Sequence, residues 1–253
     1  MFEKKLSSRV LTIGSWITIG HPAIAEIMAR AGFDWLVVDL EHSVISIDVA
    51  GDLIRIIDLC GVAPLVRLTS NDPDQIKRVM DAGAHGIVVP MVNSAVEAAR
   101  AVAATRYAPQ GSRGVGLGRA QGYGVSFQDY LEWQRDGPVV IVQIEHKDAI
   151  DQLDDILTVP GVDGFIIGPY DLSCSMGLPG QFESPEFVDA IVRIREAGQR
   201  IGCPAGVHIV EPDLEQLEQK IREGFTFIAY SVDFRMLDVS ARQGLAKMKE
   251  MQE

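Results

Sequence analysis

The sequence predicts an α/β fold, a (β/α)8 TIM barrel, over 253 residues. Three observations predict it. Eight short runs rich in Val, Ile, Leu and Ala alternate with amphipathic stretches, the order expected of parallel strands joined by helices. The runs are apolar throughout, which suits strands buried on both faces. No Pro/Gly/Ser linker or low-complexity segment divides the chain, so residues 1–253 read as one barrel domain, a size such barrels reach unsplit. An open doubly wound sheet is the competing class, but Gly14-Ser15-Trp16-Ile17-Thr18-Ile19-Gly20 is a poor match to the G-x-G-x-x-G turn it would need.

In chain order the expected strands are residues 11–14, 35–39, 63–67, 86–90, 139–144, 164–168, 205–208 and 227–231. Helices are expected over 22–31, 48–60, 73–81, 95–105, 149–157, 185–197 and 212–223, with a short one over 127–135. Asn71-Asp72-Pro73 and Glu211-Pro212 place a polar cap before a proline in the first turn, and Gly32, Gly61, Gly83, Gly198 and Gly224 mark ends. The connection 107–124 is long and holds six glycines, which reads as functional or mobile. The last segment, 234–251, is helix-like and can pack on its own barrel or on a neighbouring subunit.

Acidic residues outnumber basic ones 35 to 23, a net charge of −12, which argues against nucleic acid or an anionic membrane as partner. No apolar run is long enough to span a bilayer. The start, MFEKKLSSRV, lacks the apolar stretch of a secretory leader, and Cys60, Cys174 and Cys203 form neither a disulfide framework nor a zinc pattern. The expected location is the cytoplasm.

In such a barrel the chemistry sits where strands end. Asp39, Glu41, His42, Arg67, Gln143, Glu145, Asp171, His208 and Asp233 end or follow expected strands. Glu145 and Asp171, from adjacent strand ends, can hold a hard divalent cation; equally, both read as helix N-caps. Arg67, ending an apolar strand, suits an oxyanion or a salt bridge to Asp39, and the two roles are compatible. His42 is a general acid/base or a structural histidine, with Asp39, Glu41 or Asp81 as an orienting acid. Of the other histidines, His21 reads as a loop or cap residue, His85 lies at the wrong end, His146 points away from Glu145, and His208 sits at a strand end, where a role facing substrate and a structural one are both open. In Gly168-Pro169-Tyr170-Asp171-Leu172-Ser173 a tight turn aims the N–H groups of Tyr170 and Asp171 into the mouth.

Across nearly the whole chain these motifs resemble those of the HpcH/HpaI aldolases. They are Asp39-Leu40-Glu41-His42, Arg67 with Asn71-Asp72-Pro73, Val89-Pro90-Met91-Val92, Thr105-Arg106-Tyr107 with Gly111-Ser112-Arg113-Gly114-Val115-Gly116, Val142-Gln143-Ile144-Glu145, and Gly164 through Ser173. The resemblance implies a class II, metal-dependent aldolase. It would reversibly cleave a 4-hydroxy-2-oxo acid, of 2-keto-3-deoxy sugar acid or 4-hydroxy-2-oxo-dioate type, into pyruvate and an aldehyde through a pyruvate enolate. Glu145 and Asp171 would bind the ion, Mg²⁺ or Mn²⁺ ahead of Co²⁺ or Zn²⁺. Arg67 would steady the enolate, and His42, partnered by Asp81, would act as acid/base through solvent. Gln143, Tyr170, Asp171 and Arg67 would contact substrate. It also implies a homohexamer that exchanges terminal helices. The chain departs from the family pattern at His208, at Tyr230-Ser231 and over 117–124, on the side of the aldehyde half; a weaker reading gives Arg113 or Arg119 the far end of the substrate. The alternatives are an oxaloacetate decarboxylase or acyl-thioester lyase using the same enolate, a Schiff-base aldolase, for which only Lys147 lies near a strand's C-terminal end, and a non-catalytic anion-binding barrel.

Overall fold

A computed structural model describes residues 2–250. Eight parallel strands close in chain order: β1 (Thr12–Ile17), β2 (Trp35–Asp39), β3 (Ala63–Arg67), β4 (Gly86–Val89), β5 (Val139–Ile144), β6 (Gly164–Ile167), β7 (Ala205–Ile209) and β8 (Phe227–Val232), which pairs back to β1. The outer helices are α2 (Pro22–Arg30), α3 (Ile47–Leu59), α4 (Pro73–Asp81), α5 (Ala95–Thr105), α6 (Phe127–Asp136), the short pair α7 (Lys147–Ile150) and α8 (Leu153–Leu157), then α9 (Pro169–Ser175), α10 (Pro185–Ile201) and α11 (Leu214–Arg222). Before the barrel stands α1 (Phe2–Ser7), and after it α12 (Asp233–Glu250). The TIM barrel expected from the sequence is present.

Alternation along the strands separates two apolar cores. Leu36, Val38, Val66, Ile87, Val89, Val140, Val142, Phe165 and Ile228 face outward and pack under the helices. Trp35, Val37, Leu65, Val88, Ile141, Ile166, Phe227 and Ala229 fill the barrel, and Phe2 and Leu6 of α1 close its base. The rings of Trp35 and Phe227 stack with centroids 4.1 Å apart. Gly14 makes room for them: a Cβ there would lie 2.1 Å from the Trp35 ring. The interior is therefore solid below the mouth, and the polar residues that continue the inward files stand above it.

Most expected elements appear within a few residues of their predicted bounds. β1 continues past Gly14 to Ile17, because Ser15 is tolerated in a buried strand by donating its hydroxyl to the Ser231 carbonyl at 3.1 Å. The helix expected over 149–157 is two short ones broken at Asp151 and Gln152. The turn expected after β6 is helical from Pro169, and α11 begins after Asp213, whose carboxylate accepts from the N–H groups of Glu215 and Gln216, so Pro212 precedes the cap. Helix α1 was not anticipated. The final helix follows the expected course, with Met251 outside the described residues.

Gly14→Ala should lower stability by about 3 kcal/mol, because the core around Trp35 has no room for one more carbon. Urea unfolding of the two proteins measures the difference; equal midpoints would show that the ring can move aside.

Candidate active site

The strand ends surround a cavity of about 320 Å³, lined by Trp16 of β1 and Thr18 just after it, Asp39 of β2 and His42 in the following loop, Arg67, Gln143, the 166–171 segment, His208 of β7 and Val210 just after it, and Val232 and Phe234. Its position follows from strand parity. Asp39 pairs in register with Arg67, and Arg67 with Val88, so the last inward residue of β2 faces the last inward residue of β3.

Arg67 is clamped. Its Nε and Nη2 donate to Asp39 Oδ1 and Oδ2 at 2.8 and 2.7 Å, a bidentate pair, and its guanidinium lies 4.3 Å over the Trp16 ring. Asp39 is 1% exposed, and the guanidinium beside it holds its carboxyl below the usual range against the cost of burial. The salt bridge weighed from sequence is thus present, and it leaves the cation on the cavity wall. Trp16 was not picked out from sequence, because β1 was expected to stop short of it.

Glu145 continues the inward file Ile141, Gln143 beyond the end of β5. Its Oε1 accepts from the Met91 N–H at 2.7 Å and its Oε2 from the Gln143 side-chain amide. Met91 offers that N–H from a left-handed backbone, φ 53°, a contact with no signal in the sequence beyond Pro90-Met91 itself. Gly168 is packed on the same carboxylate, a Cβ there falling 2.6 Å from Oε2. Asp171 stands exposed in the first turn of α9. Neither acid caps a helix: the N-cap of α9 is Gly168 and α7 is capped by His146, whose Nδ1 accepts from the Asp148 N–H. The N-cap alternative is thereby removed for both.

The charges are unbalanced. Burial raises the Glu145 pKa, and nearby Asp171 adds to the rise. Burial pushes Glu41 up to about 7, with Glu145, Asp39 and Asp171 all repelling its charge and Arg67 opposing. Asp39, Glu41 and Glu145 share one guanidinium, with the Asp171 charge nearby, and the Gln143 Oε1 and Glu41 Oε2 atoms are buried without a hydrogen-bond donor. Such a surplus of oxygen and negative charge fits a divalent cation at Glu145 and Asp171. Among the described residues no three His, Cys, Asp or Glu side chains group as a complete metal cage, so two protein ligands would leave positions for water and substrate.

His42 is at the rim, its side chain 63% exposed, with Nε2 3.8 Å from Glu41 Oε2. Tyr170 stands on the same rim, edge-on to Phe182. Asp81 is elsewhere. It ends α4, which runs back down the barrel, and it meets Arg113 at 3.4 Å near the base, so the chain does not bring it to its own His42. Arg113 is buried between Tyr107 and Tyr130, and Arg119 pairs with Asp58, so neither reaches the chain's own cavity. The 107–124 loop lies at the base as well, because α5 descends to it. His85 is at that end too, near Asp58, and His21 caps α2, both as expected. Asp233 serves the rim: its carboxylate accepts from Thr18 N–H, Thr18 Oγ1 and Ile19 N–H, tying β1 to β8. No lysine among the described residues lines the cavity, and Lys147 is exposed on α7.

The family model for the HpcH/HpaI aldolase/citrate lyase matches residues 12–238. A 4-hydroxy-2-oxo-heptane-1,7-dioate aldolase of Salmonella newport (strain SL254) is 38% identical over 97% of this chain and 95% of its own. The crystal structure of an HpcH/HpaI aldolase/citrate lyase family protein from Burkholderia cenocepacia J2315 superposes with a TM-score of 0.92 at 31% identity, covering 98% of each chain. That of an HpcH/HpaI aldolase from Desulfitobacterium hafniense DCB-2 gives 0.89 at 30% identity, over 98% of this chain and 96% of that one.

Removing Arg67 should destabilise the fold by about 3 kcal/mol, since it leaves the buried Asp39 carboxylate uncompensated, and removing Asp39 should cost less, since Glu41 still lies 3.4 Å from the guanidinium. In a double-mutant cycle with Arg67→Ala and Asp39→Ala, the pair should show a coupling of about 2 kcal/mol by urea unfolding. Additive losses would mean the clamp contributes nothing.

Proposed function

The chain belongs to the HpcH/HpaI aldolase/citrate lyase family, and from that premise we propose that it is a divalent-metal-dependent aldolase that reversibly cleaves a 4-hydroxy-2-oxo acid into pyruvate and an aldehyde. The observation that carries this reading is the clamped Arg67 and Asp171 on the wall of one cavity, with the buried Glu145 carboxylate behind Gln143 and Gly168 within electrostatic reach of both, and no lysine among the described residues lining that cavity.

Glu145 and Asp171 hold the cation, Mg²⁺ or Mn²⁺ by the all-oxygen chemistry of the pair. When bound, it supplies Lewis acidity at the keto oxygen of the 2-oxo acid. Gln143, already bonded to Glu145, fixes that carboxylate's direction. His42, at the solvent-exposed rim, takes the proton of the C4 hydroxyl through water. As the C3–C4 bond breaks, its electron pair passes into the pyruvate enolate and the C4 oxygen becomes the aldehyde. Arg67 meets the enolate charge from a position fixed in advance by Asp39 and Trp16, so no reorganisation is needed when the charge appears. A proton then returns to C3, giving the methyl group of pyruvate. Tyr170 and Asp171 border the carboxylate end from the start of α9.

The assembly is a homo-oligomer, a hexamer by family resemblance, in which α12 packs on a neighbour. Every residue from Ser240 to Lys249 is exposed in the single chain. Phe234, Leu237, Leu245 and Met248, 48–66% exposed, recur at helical spacing along it. The reaction needs only small molecules and takes place in the cytoplasm. No helix among the described residues is long and apolar enough to cross a membrane.

Exchange of pyruvate methyl protons for deuterium, followed by NMR, isolates the enolate step. It should need added Mg²⁺ or Mn²⁺, stop with EDTA, and be abolished by Glu145→Gln or Asp171→Asn; Arg67→Ala should slow it about 10²–10³-fold. Inactivation by pyruvate with borohydride would instead identify a Schiff-base lysine and overturn the metal reading. Sedimentation should report a hexamer, and deletion of residues 240–253 should lower that mass; an unchanged mass would remove α12 from the interface.

A further inference from the structure

His208 and Ser231 meet on the wall of the cavity formed by the last strands. His208 is the inward residue near the end of β7, in register with Ala229, and it lines the cavity beside Trp16, the ring centroids 5.6 Å apart. Its Nε2 lies 3.3 Å from the carbonyl oxygen of Ser231. Ser231 presents that carbonyl from a left-handed backbone, φ 54°, where glycine would be the easier residue. Its own hydroxyl donates to the Val210 carbonyl at 2.9 Å, and its carbonyl also accepts the Ser15 hydroxyl at 3.1 Å. The serine thus holds an unfavourable turn in place, and the turn fixes the imidazole.

The hydrogen bond determines the tautomer. A carbonyl oxygen only accepts, so Nε2 carries the proton, and in the neutral ring Nδ1 is then a bare acceptor. Burial, with Arg67 nearby, depresses the His208 pKa to about 4, which keeps the ring neutral. Nδ1 has no hydrogen-bond partner among the described residues. The Trp16 indole N–H, on the same wall, is buried without an acceptor. With the cation at β5 and β6 and Arg67 on β3, this wall of β7, β8 and β1 is left for the other half of the substrate.

We propose that His208 Nδ1 is a specificity-determining acceptor for a hydroxyl group on the aldehyde half, so that the chain favours hydroxyaldehydes over aldehydes with only an apolar or carboxylate-bearing chain. The assignment rests on the aldolase reading above. A wall that supplies an unpaired acceptor favours a hydroxyl donor over its deoxy analogue, which would cover that acceptor without giving it a hydrogen bond.

The test is the ratio of kcat/KM for aldol addition of pyruvate to glycolaldehyde and to acetaldehyde, which differ by one hydroxyl, with succinic semialdehyde as a third acceptor. Wild-type enzyme should favour glycolaldehyde over both. His208→Leu should lower the glycolaldehyde-to-acetaldehyde ratio at least tenfold, whereas His208→Asn, whose amide oxygen offers an acceptor near the Nδ1 position, should keep most of it. A ratio unchanged in His208→Leu, equal losses in the two variants, or a wild-type preference for succinic semialdehyde or acetaldehyde would each overturn the proposal. Absence of metal-dependent proton exchange in the wild type would instead sink the aldolase reading itself, so the two failures are separable.

Discussion

The bidentate pair between Asp39 and Arg67 sets the character of the site. Two neighbouring parallel strands end in the same register, one on a carboxylate and one on a guanidinium, and both point inward. Arg67 Nε also lies 3.4 Å from Glu41 Oε2, so without Asp39 the guanidinium would settle on that second carboxylate. With Asp39 in place, Arg67 is already satisfied along one edge and lies over the Trp16 ring, while the acids around it are left to repel one another, Glu145 and Asp171 both raising the Glu41 pKa. Asp39 so preserves the polarity of the whole mouth.

Much of this was legible from the sequence, and the reason is periodicity. Buried parallel strands are apolar on both faces, so β2, β3 and β5 could be bounded to the residue, and the polar residues terminating them stood out. Gln143 and Glu145 fell on one file because side chains alternate along a strand. Failures came where tertiary structure overrode local pattern. β1 ran on through Ser15 because Ser231 accepts its hydroxyl, which hid Trp16. Motif position pairs Asp81 with His42, and within one chain α4 carries Asp81 to the opposite end of the barrel. The long glycine loop that drew attention follows α5 to that same end. The Met91 N–H is invisible in sequence because any residue has one; only the fold decides where it points.

The histidines show how little a residue type says without its surroundings. His21 and His146 cap helices through Nδ1, His85 sits among carboxylates at the base, His42 stands in solvent at the rim, and His208 is held neutral against a carbonyl. Burial and hydrogen-bond partner, more than the imidazole itself, separate a cap from an acid/base group or an acceptor.

The plug of stacked Trp35 and Phe227, sealed beneath by Phe2 and Leu6, makes the chamber a dead end. The reactant and both fragments therefore share one doorway, and neither fragment can drain away through the barrel floor while the other is still held.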